Sequence, residues 1–425
     1  MVKRKTRLHL VLTLTTLITP LLLTAQDDNT AASLPDDTSF WRQAQILAPK
    51  APAVFKADGE LTDAEIQAGA ELRQFITFEA AAKGDDRVQV YIAHTGTQLY
   101  VGFRIRRIVN KPPRASAEGH DSRALWGRDD SLEMRIYPDG SGYDLIGNSA
   151  GVSGEGLFAS RNSGTNIPWG NDDWTYAAKT TDNGWQGEFL IDAEFFGRES
   201  FTPGDTWRMD IFNNSKTDVR QCGWSYLAGL WGYGIDRFNL LTFGGDDMPW
   251  QTAQNLGKLG EKRSGLIATI ANPADTARDM QLWAGFFRMK DGESGSYWEQ
   301  MKGVLDPTGI EILPGASFEE LVAFAANDIL NGYVAAEILD TTASLPAGAR
   351  SDIALRKPDL PGQYLVAWRF ADAATGQVVS AGVYPYSIHP PLNTAFEYHY
   401  LVGKDVIART VVSEAIAAEA DRMRY

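Results

Sequence analysis

Val88-Gln89-Val90-Tyr91-Ile92-Ala93-His94-Thr95-Gly96-Thr97-Gln98-Leu99-Tyr100-Val101-Gly102-Phe103-Arg104-Ile105-Arg106 decides the fold class. Val88, Val90 and Ile92 alternate with Gln89, Tyr91 and Ala93. After the Thr95-Gly96-Thr97 turn, Leu99, Val101, Phe103 and Ile105 alternate with Tyr100, Gly102, Arg104 and Arg106. A period of two sends successive side chains to opposite faces of a strand, so the stretch predicts a hairpin with one buried face. Working outward, Leu132, Met134 and Ile136 point inward, with Glu133, Arg135 and Tyr137 on the opposite face. The turn Pro138-Asp139-Gly140-Ser141-Gly142 leads to a strand near Tyr143 to Asn148. Further strands fall at residues 185–192 and 207–213, each after turn residues (Asp182-Asn183-Gly184 and Thr202-Pro203-Gly204-Asp205). Strands this frequent, with few helical periods between them, predict an all-β protein opening with a β-sandwich or jelly roll.

The flanking sequence sets the expected domain plan. Lys3, Arg4, Lys5 and Arg7 precede an apolar run from Leu8 to Leu23, and Ala25 closes it before Asp27 and Asp28. That order predicts a secretory signal peptide over 1–25. The mature chain is then secreted, periplasmic or on the cell surface, with no stable membrane insertion, because no later segment reaches spanning length. A Pro- and Ala-rich linker is expected over 26–52, the first sandwich over 53–245 and a second linker over 246–264. Residues 265–390 predict an immunoglobulin-like or fibronectin-type sandwich; its clearest unit is the hairpin Gly362 to Phe370, loop Ala371 to Gly376, then Gln377 to Ile388. Residues 391–425 read as a hairpin and a helix, which either pad the second domain or belong to a further one if the chain is part of something longer.

Composition narrows the function. The chain has 425 residues with 44% hydrophobic and 22% charged, ordinary globular values. Its net charge of −14 becomes −18 without the four basic residues of the leader, at 36 Lys and Arg against 54 acids. Such a balance argues against nucleic acid as a partner, since phosphate binding needs concentrated Lys and Arg. The single cysteine, Cys222, excludes an intrachain disulfide and reads as a small buried apolar residue. No His pair has zinc-site spacing, and no Gly-rich phosphate loop is present. His94 closes a strand, which fits a capping or packing role. His120-Asp121-Ser122 holds the letters of a catalytic triad in an ordinary loop. Asp129-Asp130 with Glu133 has hard oxygens of the kind calcium takes, but solvated turns explain the run as well.

The tryptophans carry more information. Trp185 and Trp207 fall on the apolar sides of strands. Trp126 in Leu125-Trp126-Gly127 and Trp231 in Leu230-Trp231-Gly232-Tyr233-Gly234 stand beside glycines in loops. An exposed indole stacks on the C–H face of a pyranose, and a carboxylate such as Glu133 can take its hydroxyls.

Several motifs in order then carry a family resemblance. They are Asp58-Gly59-Glu60-Leu61, Leu99-Tyr100-Val101-Gly102-Phe103, Trp126 with Asp130-Ser131-Leu132-Glu133, Gly184-Trp185-Gln186-Gly187-Glu188-Phe189, Trp207 to Phe212, and Phe238-Asn239-Leu240-Leu241-Thr242-Phe243. Their sequence over residues 53–245 resembles the family 9 carbohydrate-binding modules and their wider family-9-like relatives. The resemblance implies a β-sandwich, often stabilised by structural calcium, attached to exported proteins that act on polysaccharides. It implies polysaccharide or oligosaccharide as the partner, Trp126 as one wall of a sugar clamp and Glu133 as the hydroxyl-binding carboxylate. Trp231 is the candidate second wall, with Trp224 in reserve and Arg135 beside Glu133; Ile146 stands where the family has a sugar-contacting Arg. A glycan-binding protein of polysaccharide catabolism without catalytic residues is therefore expected. The alternatives are a glycoside hydrolase or a fragment of one, and a haem-binding exported redox domain using His94 and Met134.

Overall fold

The computed structural model describes residues 44–51, 55–73, 75–77, 84–85, 87–107, 111–138, 141–158, 173–218, 221–224, 238–246, 251–255, 266–289, 333–355, 358 and 362–388. The expected signal peptide, Trp231 and the C-terminal hairpin and helix lie outside the described residues. Among the described residues, no helix is long and apolar enough to cross a membrane.

The described elements are almost all β-strands. The strands are β1 (Gln45–Ala48), β2 (Ala70–Leu72), β3 (Phe75–Thr77), β4 (Gly84–Asp85), β5 (Val88–His94), β6 (Gln98–Arg106) and β7 (Ser131–Tyr137). They continue with β8 (Gly142–Asn148), β9 (Ser153–Phe158), β10 (Trp174–Thr181), β11 (Gly184–Asp192), β12 (Thr206–Asn214), β13 (Gln221–Gly223) and β14 (Asn239–Phe243). The later ones are β15 (Gln251–Asn255), β16 (Leu266–Ala271), β17 (Arg278–Met289), β18 (Tyr333–Leu345), β19 (Arg350–Leu355), β20 (Gly362–Asp372) and β21 (Val378–Ile388). Among the described residues two short α-helices, α1 (Asp63–Ala68) and α2 (Ala124–Gly127), and one 3-10 helix, Ala193–Phe196, interrupt them. α1 starts because Thr62 and Glu65 form a reciprocal capping box, which satisfies otherwise orphaned N–H groups.

The described strands form two sheets. One runs β18-β17-β20-β21-β1-β14-β12-β13-β3-β4, with β7, β8 and β9 branching from β12; the other runs β10-β11-β6-β5-β2-β15-β16-β19. The hairpin read from alternation is β5–β6, paired antiparallel from Val88↔Ile105 to His94↔Leu99. Gly96 at its turn has φ +105°, which a side chain would resist. The other hairpin, β20–β21, also pairs antiparallel, and the indole N–H of Trp368 donates to Ser380 Oγ across it.

Two strands arise inside segments that composition reads as linkers. β1 lies in the 26–52 stretch and inserts parallel to β14 and antiparallel to β21. β15 lies in the 246–264 stretch and joins β2 to β16. Both sheets thus run unbroken from the first half of the chain into the second.

The inward faces meet as in a sandwich. Val90, Ile92, Val101 and Phe103 of one sheet and Leu132, Met134, Ile136, Met209 and Ile211 of the other share one buried cluster. Trp185 and Trp207 join it as expected, Trp185 edge-on to Phe103 and Trp207 edge-on to Phe243. Each fully buried side chain of this size contributes about 1.5–3 kcal/mol, which is why alternation survives into the fold. Cys222 is buried there, as its apolar reading predicts.

Candidate functional site

The candidate residues lie on the outward face of β7 and its neighbours. Because β7 alternates, Glu133 and Arg135 share that face; the pleat places Asp144 and Ile146 of β8 and Phe212 and Asn214 of β12 alongside. The structure corrects one expectation here. Glu133 is not free to meet a ligand: it is 6% exposed, and Arg135 is 7% exposed. Arg135 donates from Nε to Glu133 Oε1 at 2.8 Å, with Nη2 at 2.6 Å from the same oxygen. Asn214 Nδ2 donates to Glu133 Oε2 at 2.8 Å, and the guanidinium lies 5.6 Å from the centre of the Phe212 ring. Period two says which face a residue takes but not whether something covers that face, and here it is covered. Ile146 sits directly across from Glu133, fully buried, so Arg135 provides the guanidinium on this face.

Asp144 completes the group and was not singled out from the sequence. It is fully buried across from Arg135, whose Nη2 is 3.8 Å from its Oδ2. Burial, and then the neighbouring Glu133 carboxylate, push the Asp144 carboxyl well above the usual carboxylate range, against the opposing pull of Arg135. Glu133, Asp144 and the Arg135 guanidinium thus form one buried ionisable set. The indole N–H of Trp126 donates to Asp144 Oδ2 at 3.2 Å, so the indole is tethered at the edge of this buried network while remaining partly exposed itself.

The reserve tryptophan is elsewhere. Trp224 is buried in the core cluster, its backbone N–H donating to the Ile211 carbonyl. It presents no face to a ligand.

The acidic run before β7 is not a solvated turn. Asp129 accepts from Ser116 N–H and Oγ, Ala117 N–H and Asn148 Nδ2. Asp130 accepts from the N–H groups of Arg114, Lys216 and Thr217 and from the Thr217 hydroxyl. Burial alone would raise the Asp129 carboxyl, but the donors from Ser116, Asn148 and Ala117 outweigh it and hold it below the ordinary range. A carboxylate has about four lone-pair sites, and each of these is matched with four donors. N–H groups occupy the oxygens that calcium would need, so this cluster does not fit calcium. Its work is to tie two loops to the start of β7.

The remaining histidine readings resolve as follows. His94 is fully buried; its Nε2 lies 2.8 Å from the Gly244 carbonyl, and its Nδ1 accepts the Gly96 N–H at 3.2 Å. With both nitrogens engaged and Met134 in the core cluster, the pair proposed as axial haem ligands is already used for structure. Ser122 Oγ accepts the Ala124 N–H at the start of α2, and the His120 ring faces Ser153 and Glu155.

No family model matches the chain, and no curated protein does. Solved structures similar to it include a suggested carbohydrate-binding protein from Bacteroides uniformis, at 17% identity and TM-score 0.37, covering 47% of this chain and 99% of that one. A family 9 carbohydrate-binding module from Caldicellulosiruptor kristjanssonii in complex with cellotriose has 13% identity and TM-score 0.35, covering 47% of this chain and 94% of that one. The same organism's module in complex with glucose gives 13% and 0.36, with 47% and 96% covered.

Proposed function

We propose that this chain is an exported carbohydrate-binding protein of polysaccharide catabolism, built as a family-9-like jelly-roll sandwich followed by an immunoglobulin-like one. Its partner is a polysaccharide or oligosaccharide, and Trp126 is the stacking platform. The observation that carries the reading is the Trp126–Asp144 hydrogen bond, which couples a partly exposed indole to a fully buried carboxyl. A platform fixed before binding loses little side-chain entropy when a sugar ring stacks on it. In this reading Glu133, Arg135 and Asp144 position the indole rather than touch the sugar. The order of the family-9-like motifs supports the same assignment independently of the site.

A glycan array probed with the full mature chain tests this, followed by titration of the best glycan into Trp126→Ala and Trp126→Phe. Loss of an aromatic anchor costs about 2 kcal/mol or more, roughly thirtyfold in affinity, so Trp126→Ala should lose binding. Trp126→Phe should retain much of it, because a π-face remains. Absence of binding across the array, or unchanged affinity in Trp126→Ala, overturns the proposal.

A further inference from the structure

His120, Asp121 and Glu155 each offer a ligand atom, and these atoms lie within 4.8 Å of one another. From this cluster we propose a binding site for a divalent transition-metal ion of the zinc type.

The three residues come from two segments. His120 and Asp121 occupy the turn before α2, and Glu155 projects from β9. Nε2 of His120 is 2.7 Å from Glu155 Oε2 and 3.7 Å from Asp121 Oδ1. Tetrahedral ligands at zinc bond lengths stand about 3.4 Å apart, so these separations bracket the value a shared ion would impose. The burial is graded as a site needs: the Glu155 side chain is 1% exposed and that of His120 51%, giving a fixed floor and an open approach.

The surroundings orient the ligands. Nδ1 of His120 lies 3.3 Å from Ser153 Oγ, the outer partner that sets the ring and turns Nε2 towards the two carboxylates. Asp121 is fixed twice: its N–H donates to the Ser153 carbonyl, and its Oδ1 accepts the Glu155 N–H at 2.9 Å. Asp121 is also the one non-glycine residue with positive φ among those described, at +58°.

The donor set selects the ion. One imidazole nitrogen with two carboxylate oxygens suits zinc and its neighbours, whereas calcium prefers six to eight oxygens. Three protein ligands leave a fourth position open. The site stands whether or not Trp126 binds sugar.

The test uses the full mature chain stripped with a chelator and titrated with Zn²⁺ by calorimetry. A parallel titration with Co²⁺ reads visible absorption bands that report coordination. The expected result is one Zn²⁺ equivalent whose affinity falls at least tenfold in His120→Ala and in Glu155→Gln, with the Co²⁺ bands lost in both. His120 is half exposed, so His120→Ala should melt at the same temperature as the metal-free parent and isolate ligation from folding. A parent chain that binds no Zn²⁺ equivalent, or one whose isotherm and Co²⁺ bands both substitutions leave unchanged, overturns the site. Displacement of the Zn²⁺ by equimolar Ca²⁺ overturns the choice of ion.

Discussion

The backbone N–H of Gly59 donates to Oε2 of Glu188 at 2.8 Å, joining two segments far apart in the chain through a fully buried carboxylate. The Asp58 N–H reaches the same oxygen at 3.1 Å, and the Tyr100 hydroxyl donates to Oε1 at 2.7 Å. Three of the motifs that carry the family resemblance are therefore held by one side chain. Gly59 has φ +82°, and a Cβ there would lie 3.0 Å from the Ala178 carbonyl carbon, so the close approach needs glycine. Burial raises the Glu188 carboxyl above its ordinary range, in part opposed by these donors.

Glu188→Ala should lower stability by about 3 kcal/mol, because three donors lose their acceptor in a buried site. Tyr100→Phe should cost about 1 kcal/mol, since one bond is lost while two remain. Calorimetric melting of the full chain checks both; equal melting temperatures for parent and Glu188→Ala would contradict the anchoring role.

Glu133→Ala should destabilise by about 3 kcal/mol, because it leaves the Arg135 guanidinium buried without its main partner. The double substitution Glu133→Leu with Arg135→Met should recover part of that loss, as the Glu133–Arg135 pair is then removed whole. Chemical denaturation of the three proteins decides it. A double variant no better than the single one would mean that the ion pair is not the source of the cost.

Burial lowers the His94 imidazole to about 4, from an unfolded value near 6.5. The unfolded chain then takes up a proton below pH 6.5 that the folded chain refuses until about pH 4. His94 thus contributes full stability above pH 6.5, and that contribution declines as pH falls towards 4, by about 3 kcal/mol at most. Denaturation midpoints between pH 7 and 5 should fall more steeply for the parent than for His94→Gln. Parallel curves would show that His94 does not titrate this way.

Alternation alone was enough to make the β5–β6 hairpin and β7 legible. Val88–His94 and Gln98–Arg106 pair as their period requires, and Leu132, Met134 and Ile136 are fully buried. Burial of one face is a local property of a strand, so a single sequence displays it. The tertiary structure decided what lies beyond that face. Nothing in Gln45–Ala48 announces a strand, because four residues become one only when β14 and β21 offer open edges on either side. Glu133 looked available because its face is polar, yet Arg135, Asn214 and Asp144 are what that polarity serves. His120 and Glu155 stand 35 positions apart in sequence and meet only because the turn before α2 folds against β9. Period and composition describe one segment at a time, whereas a site is a meeting of segments, and the free energy that brings them together comes from the shared core.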